Sequence, residues 1–277
     1  MLSYRHAFHA GNHADVLKHC VLTLAIDYLA QKDKPLLYID THAGAGRYDL
    51  NSAEAKKNCE YANGVEQLFA QRTVFAPLLQ SYFAAIEKFR AHYPRGYPGS
   101  PWFAEYLLRE QDRLRLFELH PQDFKTLNNS MQSDSRCAVA ASDGFAALKA
   151  LLPPPSRRAL VLIDPPYELK EDYARVITAL KEALRRFATG TYLIWYPLLP
   201  RGEAEKLPKQ LAALAANTLR MELHIDEPKG EFGMYGSGMF AINPPWPLRE
   251  QMQALLPLFA QALGKPNKAK FLLEANT

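Results

Sequence analysis

The chain has 277 residues, 48% of them hydrophobic, and a formal net charge of +4. This composition excludes a disordered chain and allows one large domain or a domain carrying an insert. The mild positive charge permits a polyanionic partner without demanding one, and no apolar run reaches the ~18 residues of a membrane span.

In chain order, the segment MLSYRHAFHAGNHADVLKH lacks the continuous apolar stretch of a signal peptide. Residues 1–12 are expected as a flexible tail. A first helix is predicted over 13–31, with Val16, Cys20, Val21, Leu24 and Tyr28 on one stripe. LLYID (36–40) is the first strand-like run, and a helical insert is predicted over 50–96. Then come LRLFEL (114–119), CAVAA (137–141), ALVLID (159–164), TYLIWY (191–196), RMELHI (220–225) and GMFAIN (238–243). Helices are predicted near 121–132, 143–152, 170–188, 201–216 and 248–263. Cys20, Cys59 and Cys137 lie far apart with no Cys-x-x-Cys spacing, so a reducing, cytoplasmic setting is expected.

The alternation of strands and helices predicts an α/β fold with a mostly parallel sheet. The short link DEPKGEFGMYGS predicts that the last two strands form an antiparallel hairpin. About seven strands ending in such a hairpin is the pattern of a Rossmann-like, S-adenosylmethionine-dependent methyltransferase. The main domain is expected to comprise 1–49 and 97–277, with 50–96 as a small helical subdomain.

At the end of the first strand, IDTHAGAGRYD supplies Gly44 and Gly46, which let the backbone turn tightly beside a ligand. Asp49 stands where a dinucleotide fingerprint has its third glycine, so a cationic or zwitterionic ligand fits better than a pyrophosphate. Glu118 ends the next strand, where a carboxylate can accept ribose hydroxyls. Asp143 suits an adenine contact, a helix N-cap or both, with Gly144 leaving room for the base.

The stretch LIDPPYELK carries the chemistry. An exocyclic adenine amine is a poor nucleophile because its lone pair is delocalised, so a site that methylates it must accept both N–H hydrogens. Asp164 offers one acceptor and the Pro165 carbonyl the other, with the paired prolines fixing its direction. Tyr167 offers a face for an extruded base. The similar INPPW at 242–246 is read as a turn with a packed Trp246, at the sheet edge away from the glycine loop. Tyr4, Arg5, His6 and Lys18 are expected to close over the target nucleotide, with positive charge toward phosphate. His6, His9, His13 and His19 with Asp15 are not expected to bind metal, because the His-Glu-x-x-His carboxylate is missing.

With SYRHAFHAGNHADVLKH (3–19), LYIDTHAGAGRYDL (37–50), YPGSP (97–101), LLREQDRL (107–114), LIDPPYELK and INPPW together, the chain closely resembles the J-type large-subunit ribosomal RNA methyltransferases of bacteria. These enzymes make N6-methyladenosine in 23S rRNA. The resemblance runs essentially the whole length and implies a monomer using S-adenosylmethionine as methyl donor, without metal. It further implies ligands from His19, His42, Ser100, Glu118, Asp143, Gly144 and Asp164, and an N-terminal tail with Tyr4 near the target base. From the residues alone, His42 lies inside the glycine loop, Ser100 reads as an exposed N-cap, and His19 reads as an ordinary helix histidine. Two alternatives stay open: a DNA adenine-N6 or cytosine-N4 methyltransferase, and a non-catalytic RNA-binding module on the same fold.

Overall fold

The structure, a computed structural model, describes residues 5–200, 202–228, 230 and 233–276. Helix α1 (His13–Leu29) begins where the Asn12 side chain accepts the Ala14 and Asp15 amide hydrogens. After it come β1 (Leu37–Asp40), β2 (Arg47–Asp49), α2 (Ala53–Asn58), α3 (Val65–Ala70), α4 (Arg72–His92), β3 (Gly96–Pro98) and α5 (Ser100–Leu107). The chain then alternates: β4 (Arg113–Phe117), α6 (Pro121–Met131), β5 (Cys137–Ala140), α7 (Gly144–Leu151), β6 (Ala159–Ile163), α8 (Lys170–Arg186), β7 (Thr191–Leu198), α9 (Gly202–Ala212) and β8 (Thr218–His224). Strand β9 (Gly236–Ile242), α10 (Leu248–Leu263) and β10 (Lys270–Asn276) follow.

The main sheet has eight strands in the order β10-β8-β9-β7-β6-β1-β4-β5. Strands β7, β6, β1, β4 and β5 run parallel, whereas β9 is antiparallel to both of its neighbours. The expected hairpin is therefore present, but β9 inserts between β7 and β8 instead of standing outside them. Strand β10 was not foreseen. It pairs with β8 alone and is largely exposed on both faces, so its sequence KFLLEAN carries no burial pattern.

Alternate residues of the central strands face opposite layers. Tyr38, Leu160 and Leu162 join α1, the insert and α10, while Ile39, Val161 and Ile163 join α7, α8 and α9. Helices α2, α3 and α4 fill the segment 50–96, and their Val65, Leu68, Phe75 and Tyr82 belong to the same apolar cluster as α1. Phe75 stacks on Phe259 of α10 at 5.5 Å between ring centroids. The insert therefore has no core separate from the main domain, and an antiparallel ribbon of β2 and β3 ties its two ends together. This cover explains why α1 is buried around its whole circumference from Ala14 to Ile26, beyond the predicted stripe.

Residues 6–12, expected as part of a flexible tail, form a 3-10 turn over His6–Phe8 and then bury Ala10, Gly11 and Asn12. They are held by the insert: Val65 N–H donates to Gly11 O at 2.8 Å and Asn12 Nδ2 donates to Glu60 Oε2 at 2.9 Å. His9 Nδ1 meets the same Glu60 carboxylate at 3.0 Å. Among the described residues no helix is long and apolar enough to cross a membrane.

Candidate active site

Strand order reverses at β1, which lies between β6 and β4, and open α/β sheets bind ligands at the carboxyl edge of such a switch point. Four neighbouring strands, β6, β1, β4 and β5, each lead there into a carboxylate: Asp164, Asp40, Glu118 and Asp143. Gly44 and Gly46 have φ of +62° and +73°, so the loop after β1 makes the tight turn its glycines predicted. Gly44 N–H donates to Glu118 Oε2 at 2.8 Å and His120 N–H to Oε1 at 2.6 Å. Each Glu118 oxygen is aimed by one backbone donor and keeps a lone pair for a diol. Burial pushes the Glu118 carboxyl up, against these two hydrogen bonds.

Around Asp164 the structure departs from the sequence-based reading. Lys18 Nζ lies 2.6 Å from Asp164 Oδ2 and 3.0 Å from Asp15 Oδ1, with only 7% of its side chain exposed. It points toward these two carboxylates and not to the surface, because α1 is wedged between sheet and insert. Asp15, itself buried, also accepts Gly11 N–H and meets His6 Nε2, each at 2.8 Å. A chain of charge and hydrogen bonds thus runs from His6 through Asp15 and Lys18 to Asp164. Burial alone would lower the Lys18 ammonium, but the Asp15 and Asp164 carboxylates outweigh it and hold the group above the usual lysine range. Asp164 Oδ1 has no hydrogen-bond partner among the described residues, and the side chain is 17% exposed.

The remaining sequence-predicted residues fall as follows. His19 is buried, its Nδ1 2.8 Å from Tyr97 Oη, while Nε2 is buried without a partner. A buried ring nitrogen left without a partner is the kind of atom a bound ligand satisfies. His42 is half-buried, with Nδ1 2.8 Å from Thr41 Oγ1 and its ring against Phe145; burial pulls the imidazole down to about 4. Asp143 caps α7 through the Phe145 and Ala146 amides and also receives Arg175 Nη2 at 2.8 Å. Pro165 is buried directly after Asp164. Tyr4 lies outside the described residues.

Several expectations need correcting. Ser100 is not an exposed cap: Gly99 takes that position, and Ser100 is buried with its hydroxyl donating to Asp40 Oδ2 at 2.6 Å. Gly144 does not clear space for a base, because a Cβ there would lie 2.2 Å from Thr41 O; it lets α7 approach the loop after β1. Tyr167 is only 4% exposed, with φ of +52° and its hydroxyl donating to Trp195 O at 2.8 Å. A bulky residue in that left-handed region is strained, and the hydrogen bond and the Tyr173 ring at 4.7 Å hold it. It is a buttress under the Asp-Pro-Pro turn and not an open stacking face. Trp246 is 81% exposed and hence not packed. Its motif follows β9, an interior antiparallel strand, so it emerges at the opposite edge from the glycine loop and not at the side of the sheet.

The family described as ribosomal RNA large subunit methyltransferase D, RlmJ, matches residues 33–273. A protein of Escherichia coli strain K12 named ribosomal RNA large subunit methyltransferase J is 50% identical over 259 residues, covering 93% of this chain and 92% of that protein. Its namesake in Haemophilus influenzae is 47% identical over 277 residues, covering 99% and 98%. This chain belongs to the RlmJ family of ribosomal RNA large subunit methyltransferases. A crystal structure of a Legionella pneumophila protein, 37% identical, superimposes with a TM-score of 0.90 over 97% of this chain and 99% of that one.

Sequence reasoning missed two carboxylates of this RlmJ-family site. Asp15 was set aside with the metal candidates, and Asp40 was read only as the end of a strand. Asp40 is fully buried, accepting hydrogen bonds from Ser100 Oγ and Tyr38 Oη. Burial pushes its carboxyl up to about 6; the Ser100 and Tyr38 hydrogen bonds oppose this and the nearby Asp164 charge adds to it. A carboxyl raised from 3.8 to about 6 stabilises the fold fully below pH 4 and loses that contribution as pH rises through 6. Relative to Asp40→Asn, the wild type is expected to lose ~3 kcal/mol of unfolding free energy between pH 4 and 7. Urea titrations of both proteins at the two pH values measure the difference, and a pH-independent gap would refute the assignment.

Proposed function

We propose that this chain transfers the methyl group of S-adenosylmethionine to the N6 amine of an adenine in 23S ribosomal RNA. The observation that carries the reading is Asp164, held on one oxygen by Lys18 and open on the other, followed by buried Pro165 beside the glycine loop. Family membership supports ribosomal RNA as substrate, and the curated relatives bear that name.

The cleft suits the donor. Glu118 presents oriented lone pairs to ribose hydroxyls, Asp143 keeps a carboxylate at the adenine end, and the orphaned His19 Nε2 awaits a polar partner. When bound, S-adenosylmethionine supplies a methyl group on a sulfonium, an electrophile that needs no Lewis acid. Asp164 Oδ1 accepts one amine hydrogen and the Pro165 carbonyl the second, which localises the nitrogen lone pair toward the methyl group. Lys18 holds Oδ2, so the carboxylate cannot swing away from this orientation. After transfer, the surplus proton on nitrogen leaves through Asp164 Oδ1 or to water. Tyr167 supports the turn from below, and His6 stands at the far end of the chain through Asp15 and Lys18 that steadies Asp164.

The test is side-by-side incubation of the protein and labelled S-adenosylmethionine with protein-free 23S rRNA, ribosomal subunits and duplex DNA, followed by nucleoside analysis. Label is expected in N6-methyladenosine from rRNA. Label confined to DNA, or none in any substrate, would sink the proposal.

A further inference from the structure

At the base of the helical insert, between β2 and the end of α4, lies a cleft of about 420 Å³, within the size range of ligand sites. It is distinct from the Asp164 site, and no role described so far uses it. Arg47, one residue after Gly46, holds its guanidinium 5.0 Å from the centroid of the Tyr93 ring. No carboxylate pairs with Arg47 among the described residues. Arg95, on the same wall, donates to the neutral Asn51 Oδ1 at 3.2 Å, and no carboxylate pairs with it among the described residues.

Asp49 also lines the cleft, but its Oδ1 accepts the Asn51 amide hydrogen, and two guanidiniums against one carboxylate leave the surface positive. Phe89 and Tyr93 supply apolar wall. A second cleft of similar size, about 430 Å³, differs here: its Arg136 is already paired with Asp134 and Glu105.

Location gives the cleft its meaning. Tyr48 lines it and meets the His6 ring at 4.9 Å, and His6 begins the chain through Asp15 and Lys18 to Asp164. A Cβ on Gly44 would lie 2.4 Å from the Tyr48 hydroxyl, so one aromatic side chain stands between the cleft and the glycine loop. A polynucleotide whose target base reaches Asp164 brings its neighbouring nucleotides past this wall.

We infer that the cleft is a second RNA subsite for a nucleotide flanking the target, resting on the ribosomal RNA reading above. A backbone phosphate sits between Arg47 and Arg95, and an unstacked base lies on the guanidinium plane that Tyr93 supports. Unpaired arginines beside an aromatic ring are suited to this pair of contacts, because one neutralises phosphate and the other tolerates any base.

The experiment uses a protein-free 23S rRNA fragment that the wild type methylates. Its binding to wild type, Arg47→Gln/Arg95→Gln and Tyr93→Ala is titrated across a salt series. The double variant is expected to bind RNA about tenfold more weakly, with the slope of log affinity against log salt reduced by roughly one to two. Tyr93→Ala is expected to weaken binding about tenfold with the slope nearly unchanged. Affinity for S-adenosylmethionine and the melting temperature should stay at wild-type values. Arg95→Gln alone, at an exposed position, should lose close to one unit of slope and decides the matter if the double variant folds poorly. RNA affinity and salt slope equal to wild type in these variants would overturn the subsite while leaving the methyltransferase reading intact. A wild type that neither binds nor methylates the RNA would overturn both.

Discussion

Asp164→Asn is expected to lower methyl transfer by roughly 10²–10³-fold while leaving the affinities for S-adenosylmethionine and RNA within a few-fold of wild type. The asparagine has nearly the same volume, but only one oxygen remains to serve both Lys18 and the substrate amine. If that oxygen stays with Lys18, the amide nitrogen turns a donor toward an amine that needs an acceptor. If it turns outward, the ammonium meets a donor instead of Oδ2. Lys18 keeps Asp15 at 3.0 Å in either case, so the fold should survive. Single-turnover transfer of labelled methyl to 23S rRNA reads the effect directly. Retention of more than about a tenth of the wild-type rate would remove Asp164 from the reacting role.

Lys18→Met is expected to damage both stability and turnover, for separable reasons. Asp15 has 1% of its side chain exposed and would lose its Lys18 partner, keeping His6 and the Gly11 amide; breaking a buried ion pair costs up to roughly 3–5 kcal/mol. Asp164 would lose the partner that fixes its Oδ2. Adding Asp15→Asn to Lys18→Met removes the stranded charge, so the double variant should regain much of the stability. It should not regain activity, because nothing then holds Asp164. Denaturant titration and single-turnover kinetics on the two single variants and the double variant complete the cycle. Recovery of turnover together with stability would mean that Lys18 is a structural cation only. Additive stability losses would mean that Asp15 and Lys18 do not depend on one another.

Much of this site could be read in one dimension. Asp164-Pro165-Pro166-Tyr167 follows an apolar strand, and Glu118 and Asp143 each follow another, so alternation of strand and helix suffices to bring them to one sheet edge. What failed to be legible was the direction each side chain takes. Lys18 and Asp15 sit on a helix that the sequence marks as amphipathic. Only the insert, folding back from residues beyond 50, encloses its far side and converts surface charges into buried ones. Tyr167 and Trp246 were exchanged for the same reason: which aromatic is covered depends on the neighbouring chain, and motif letters do not report it.

Local chemistry in the amino-acid order therefore determined the strands, the glycine turn and the acids that end the strands. These are short-range properties, set by backbone conformational preference and apolar periodicity over a few residues. Tertiary structure alone decided that β9 lies inside the sheet, that the insert shares the main core, and that an ammonium from α1 meets the carboxylate after β6. Such pairings join residues as far apart as 18 and 164, and their energies come from burial and mutual distance, which exist only once the chain has folded.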